Sequence, residues 1–125
     1  MKTYSFEKLD CWQNARQLAV WVFKNTLSYP TEEKYDIVSQ MRRAAISIAS
    51  NIAEGTSRIS KKDQAHFSTM AYSSTIELLN DIIISNDLLL ISDELYTEAR
   101  LQIERQTLLI SGLRKSQTNS RSAKP

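Results

Sequence analysis

The 125-residue chain is poor in the residues that punctuate structure and in those that hold metals: two glycines, two prolines, one cysteine and one histidine. Each scarcity excludes something. A tetrahedral zinc site takes about four Cys/His ligands, and a carboxylate-bridged di-iron bundle takes a Glu-x-x-His on each of two helices. Cys11 and His66 supply neither. Gly55 and Gly112 lie far apart, so no loop gathers several glycines to wrap backbone N–H groups around a phosphate, as P-loops and dinucleotide folds do. One cysteine makes no internal disulfide, and the segment Met1 to Lys8 lacks the apolar core of a secretory signal, so a cytoplasmic setting is expected. The most apolar stretch, Ile76 to Ile91, is interrupted by Glu77, Asn80, Asp81, Ser85, Asn86 and Asp87, whereas a membrane span takes roughly 20 mostly apolar residues. It reads as a buried helix, with no membrane association and no cofactor expected.

What is present is 42% hydrophobic and 24% charged, the composition of one globular domain with a sizeable core. With so little Gly and Pro, the chain is expected to form a few long helices joined by short turns. Leu9, Trp12, Ala15, Ala19, Val22 and Phe23 recur at helical spacing over about residues 8–28, and that helix is expected to stop before Tyr29-Pro30, because the residue preceding proline avoids the helical region. Over about 32–54 the stripe is Val38, Met41, Ala45, Ile48 and Ile52, with Gly55 placed to take a left-handed conformation just past the last turn. Ser60 with Asp63 resembles a capping box and opens a third helix over about 61–90, with Phe67, Met70, Ala71, Ser74, Leu78, Ile82 and Leu89 inward. Ser92, Asp93 and Glu94 start a fourth over about 93–115, lined by Leu95, Ala99, Ile103, Gln106, Ile110 and Leu113. Residues 116–125 are polar and expected to form a frayed tail. Helices of this length with short turns predict an all-α, antiparallel up-down-up-down four-helix bundle. The apolar residues are broader than one stripe. Leu18 and Trp21 on helix 1 and Leu79 and Ile83 on helix 3 lie off the main faces, which predicts a homo-oligomer that covers them.

Several residues together resemble a known family: Phe6-x-x-Leu9-x-x-Trp12-Gln13, Tyr29-Pro30, the run from Gln40 through Arg42-Arg43-Ala44-Ala45 to Asn51-Ile52-Ala53-Glu54-Gly55, and Ser60 leading to Phe67. The chain resembles, over about residues 4–113, the bacterial four-helix-bundle proteins labelled S23 ribosomal proteins, which are encoded in intervening sequences of 23S rRNA genes. The segment Arg42 to Gly55 is the specific part. The fold is shared with the accessory variability determinant of diversity-generating retroelements. That relation implies a ring of bundles, five in number, around a central channel, with nucleic acid and a reverse transcriptase as partners.

The residues themselves leave two uses open for Arg42 and Arg43: contacts to phosphate on the outer or channel-facing wall, which the guanidinium fork suits, or pairing with helix 3 acids such as Glu77 and Asp81 or with a neighbouring subunit. Asn51, Glu54 and Gly55 read as a structural motif at the end of helix 2, with Glu54 within reach of Arg58. Trp12 and Trp21 read as core or interface residues, His66 as a surface side chain and Cys11 as a structural thiol; Glu32-Glu33 and Asp93-Glu94 sit in first turns, where the helix dipole favours carboxylates.

The net charge of +2 is unevenly distributed along such a bundle. One end collects nine cations, among them Arg58, Lys61, Lys62, Arg114 and Lys115, against four acids, a net of +5; the opposite end has a net of −5 and the middle +2. Lys61 and Lys62 stand at a helix start, against the dipole, and are the strongest local sign of a basic binding surface. The expectation is a non-enzymatic, homo-oligomeric adaptor or scaffold that binds RNA or DNA through a basic rim, with Arg58, Lys61, Lys62, Arg114 and Lys115 as contacts there and Arg42 and Arg43 as contacts in the middle of the bundle. The alternative is a protein–protein assembly factor without nucleic-acid binding. No nucleophile, base and orienting group stand at a spacing that suggests an enzyme.

Overall fold

The computed structural model describes residues 1–122, and the side chains of 1–32 and 36–118. A 3-10 turn, Ser5–Lys8, leads into α1 (Asp10–Asn25); a 3-10 turn (Thr31–Glu33) and a π-helical turn (Lys34–Val38) run into α2 (Ser39–Thr56); α3 (Lys61–Asp87) and α4 (Asp93–Ser122) complete the chain. Each helix packs against two neighbours, α2 with α3 most extensively, and the α1–α4 contact closes the ring. Side-chain bridges fix the directions. Asn14 meets Gln106 while Trp21 meets Glu98, and Ser47 meets Ser74 while Met41 meets Ser85, so numbers that rise along one helix fall along its neighbour. The fold is the antiparallel four-helix bundle that the hydrophobic stripes predict.

The core is aliphatic: Leu18, Val22, Met41, Ile48, Ile52, Leu78, Ile82, Ile103 and Ile110 are all but fully buried. The α4 stripe of Ala99, Ile103, Gln106 and Ile110 is buried as its spacing predicts. Polar side chains inside are bonded across seams. Asn14 Nδ2 donates to Gln106 Oε1 at 2.6 Å, and Gln106 Nε2 donates to the Cys11 carbonyl at 3.1 Å, which ties α1 to α4. Within this core Asp81 is buried with Oδ2 lacking a partner among the described residues, and burial, reinforced by Glu77, raises its carboxyl above the usual range against a weaker opposing hydrogen bond from Asn80.

The structure corrects several expectations. Gly55 is not a left-handed cap: no glycine has positive φ, and Gly55 lies inside α2, where a Cβ would stand 2.9 Å from Phe67 Cβ. Its missing side chain lets α2 and α3 approach closely. The left-handed residue is Leu89, φ 59°, at the α3–α4 turn, where Leu90 N–H reaches the Ser85 carbonyl at 2.9 Å and Leu89 N–H reaches Asn86 at 3.0 Å. Leu89 is therefore 87% exposed, not inward, and Phe23 and Met70 are also exposed. Leu18 and Trp21 are buried within the single chain, because α1 touches both α2 and α4 and so carries a wide apolar face; neither is available to a second copy. Leu79 and Ile83 are half-buried. Finally, α4 continues to Ser122 where a frayed tail is expected from 116. Gln117 is buried and accepts the Ser68 hydroxyl at 2.7 Å, which anchors the extra turns to α3; residues 123–125 lie outside the described residues.

Candidate nucleic-acid interface

The basic end is built by a helix stop, a cap and an antiparallel partner. Thr56 and Ser57 hydroxyls bond back to the Ala53 and Glu54 carbonyls, both at 2.7 Å, and help terminate α2. Four residues later Ser60 Oγ accepts the Asp63 N–H at 3.0 Å and starts α3. This arrangement leaves Arg58 in the turn and Lys61 and Lys62 in the first turn of α3, all exposed. Antiparallel α4 brings Arg114 against Thr69, so Arg114 and Lys115 lie about two helical turns along α3 from the lysines.

These cations have little intramolecular employment. Arg58 pairs with Glu54 at 3.7 Å and lies over the Phe67 ring at 4.7 Å; both charged groups are solvated, so the pair contributes little to stability. It is the one ion pair among the described residues. Arg114 donates its Nε–H to Thr69 Oγ1 at 2.8 Å, and Lys61, Lys62 and Lys115 face no carboxylate within ion-pair distance among the described residues.

Arg42 and Arg43 do not join them. Arg42 lies 4.8 Å over the Phe23 ring and donates to Thr26 Oγ1 at 3.2 Å and to the Phe23 carbonyl at 3.4 Å. It thus serves the C-terminus of α1, where open carbonyls and the negative end of the dipole favour a cation. Neither Glu77 nor Asp81 holds it. Arg43 is exposed beside a shallow depression lined by Phe23, Ile46 and Ser47, away from the basic end. Asn51 donates to the Ser47 carbonyl at 2.9 Å and to Ser47 Oγ at 3.0 Å, and Ser47 Oγ meets Ser74 Oγ at 2.9 Å, so this motif joins α2 to α3. The Cys11 thiol is buried, which pushes its pKa up to about 12 and keeps it protonated and unreactive. His66 is exposed and edge-on to Phe67, and no cluster of His, Cys, Asp or Glu fit for a metal occurs among the described residues.

One feature of this end is not apparent from the charges alone. Thr69, Tyr72, Ser73 and Ile110 with Ser111, Arg114, Lys115 and Thr118 line a groove of about 460 Å³ along the α3–α4 seam. Its trace in the sequence is the spacing Ser111, Arg114, Lys115, Thr118, which puts hydroxyls and cations on one helical face.

Fold and site define a four-helix-bundle protein with a cationic end. A profile of the 23S rRNA-intervening sequence protein family matches residues 7–112, and the chain belongs to that family. Its structure is similar to the crystal structure of a protein of unknown function from the S23 ribosomal protein family of Bacteroides thetaiotaomicron VPI-5482, with a TM-score of 0.73 and 20% identity over 82% of this chain and 97% of that one. At that identity the likeness is one of fold. No curated protein matches the chain. No helix among the described residues is long and apolar enough to cross a membrane.

Proposed function

We propose that this protein is a non-enzymatic adaptor that assembles into a homo-oligomeric ring, five-membered as the family resemblance implies, and binds RNA or DNA through its basic end in the cytoplasm. The observation that carries nucleic-acid binding is the group Arg58, Lys61, Lys62, Arg114 and Lys115, in which only Arg58 has a carboxylate partner among the described residues and two lysines stand against a helix dipole. Cations placed where they do not serve the fold are available to phosphates. A parallel ring multiplies that charge on one rim, and sequence-independent affinity follows from counterion release. Oligomerisation is supported by apolar side chains on several outer faces, among them Val20 on α1, Ile46 on α2, Ile76 and Ile84 on α3, and Leu101 and Leu108 on α4, each at least 40% exposed. Leu79 and Ile83, half-buried, lie between Ile76 and Ile84 along α3, and Arg43, exposed in the middle of the bundle, adds a further cation outside the basic end.

The test is light scattering at micromolar concentration with and without RNA, together with retention on immobilised nucleic acid across a salt series. The expected result is an oligomer whose retention falls steeply with salt and is lost on Lys61→Glu/Lys62→Glu. An oligomer with no retention at low salt would assign the protein to protein–protein assembly instead. A monomer mass would remove the ring.

A further inference from the structure

Resting on that phosphate-binding role for the basic end, we propose that the α3–α4 groove holds one nucleotide of a single strand, its phosphate against Arg114 and Lys115 and its unpaired base on the ring of Tyr72. The basic end then prefers single-stranded nucleic acid to duplex.

The phosphate half follows from how Arg114 is held. Thr69 Oγ1 donates to the Ala65 carbonyl at 3.0 Å and accepts the Arg114 Nε–H at 2.8 Å, so the hydroxyl is fixed and fixes the guanidinium in turn. The two Nη groups have no acceptor, and the groove has no carboxylate in its lining, among the described residues. A guanidinium oriented through Nε presents its remaining donors as a planar fork, which matches two oxygens of one phosphate. Lys115 adds a second cation, and Ser73 and Ser111 add hydroxyls with no protein partner among the described residues.

The base half follows from Tyr72. Among the described residues five rings are covered by cations: Tyr4 by Lys2, Trp12 by Arg16, Phe23 by Arg42, Phe67 by Arg58 and Tyr96 by Arg100. Tyr72, 38% exposed in the groove wall beside two cations, has neither a cationic nor an aromatic partner among the described residues. An uncovered ring next to a phosphate site is a stacking platform for a base, and stacking tolerates any sequence. Bases inside a duplex are already stacked on each other and do not reach a ring recessed between two helices. Lys61 and Lys62, about two turns away on α3, lie where the strand continues.

Fluorescence anisotropy of the full chain with labelled oligo(dT) of about 20 nucleotides, and with a duplex of equal length, tests this. Wild-type protein is expected to bind the single strand more tightly. Tyr72→Ala is expected to weaken single-strand binding about ten-fold and leave duplex binding unchanged, while Tyr72→Phe retains both. Arg114→Gln is expected to flatten the single-strand salt dependence by about 0.7 in log–log slope, one phosphate contact. Circular dichroism melts show that each variant is folded. If Tyr72→Ala binds the single strand like wild type while Lys61→Glu/Lys62→Glu does not bind, the groove assignment is overturned and the basic rim stands. If wild type binds neither nucleic acid, the rim itself is refuted. If a phosphoserine peptide displaces the strand from wild type and Tyr72→Ala alike, the groove is a phosphate site without base stacking, which also overturns the proposal.

Discussion

Replacing glycine by alanine within a helix ordinarily stabilises a protein, and in this bundle the same substitution is expected to have opposite signs at its two sites. Both Gly55 and Gly112 are helical with ordinary φ, so alanine gains about 1 kcal/mol of helix propensity at each. At Gly112 a Cβ meets nothing within 4 Å, and the gain is expected in full, about 0.5–1 kcal/mol. At Gly55 the Cβ stands 2.9 Å from Phe67 Cβ, well inside the 3.5–4.0 Å of a good carbon–carbon contact. The obstructing atom is the root of the Phe67 side chain, so no rotamer change removes it and α2 must back away from α3. Overpacking of this kind costs about 1–3 kcal/mol, which exceeds the propensity gain. Gly55→Ala is therefore expected to destabilise by about 1 kcal/mol, leaving roughly 2 kcal/mol between the two variants. For a domain of this size that is a difference in Tm of about 8 °C, measured by circular dichroism melts and by urea titration at equal m-value. A Gly55→Ala protein that melts above wild type would refute the close α2–α3 approach as the reason for glycine there.

Three further outcomes follow from the same structure. Leu89 holds a left-handed backbone with its side chain in water, so Leu89→Gly is expected to raise stability by about 0.5–1 kcal/mol in urea titrations, and a loss would show that the exposed leucine contributes packing. Asp81 has a raised folded-state pKa, so its stabilising contribution is complete below the ordinary aspartate range and is lost as pH rises through the raised value; Asp81→Asn is expected to be more stable than wild type at pH 7 by about 1 kcal/mol, with the advantage shrinking towards pH 4. Gln106→Leu leaves Asn14 Nδ2 only its long bond to the Gln102 carbonyl, 3.4 Å, and is expected to cost about 2 kcal/mol, of which a companion Asn14→Leu recovers most; a double variant no better than the single would contradict the paired bond.

Much of the architecture is legible in the sequence because helix periodicity is a local signal. Ala99, Ile103, Gln106 and Ile110 reveal their burial through spacing alone, and Ser60 with Asp63 marks a helix start within four residues. What the sequence conceals depends on partners far along the chain. A glycine at a helix end looks the same whether it turns left-handed or lets another helix approach, and Phe67 decides between these only in three dimensions. Gln117 looks like part of a polar tail until Ser68, 49 residues away, meets it. Leu18 and Trp21 look surplus to one stripe because α1 serves two seams. Of the seven cations expected to bind phosphate, five share one end because topology puts them there, whereas Arg42 is drawn to the open carbonyls of α1, whose position relative to α2 no local pattern specifies. Tyr72 is marked only by the lack of a cation over its ring among the described residues, and such a lack has no signature in sequence.

Among the described residues the helix seams are held by apolar contact and by hydrogen bonds, neutral ones such as Asn14–Gln106, Ser47–Ser74 and Ser68–Gln117 and charge-assisted ones that join Trp21 to Glu98, Arg42 to Thr26 and Arg114 to Thr69, while the one ion pair, Arg58–Glu54, lies at a helix end. No seam among the described residues thus rests on a pair of opposite charges. Ionic strength becomes a clean experimental variable, since salt that strips a polyanion from the protein leaves the seams between helices almost untouched. This bears on how such a bundle diversifies: lysines such as Lys61, Lys62 and Lys115 can be lost or moved across its surface to suit a different ligand without any seam having to be repacked, whereas Arg42 and Arg114 each also bond across a seam.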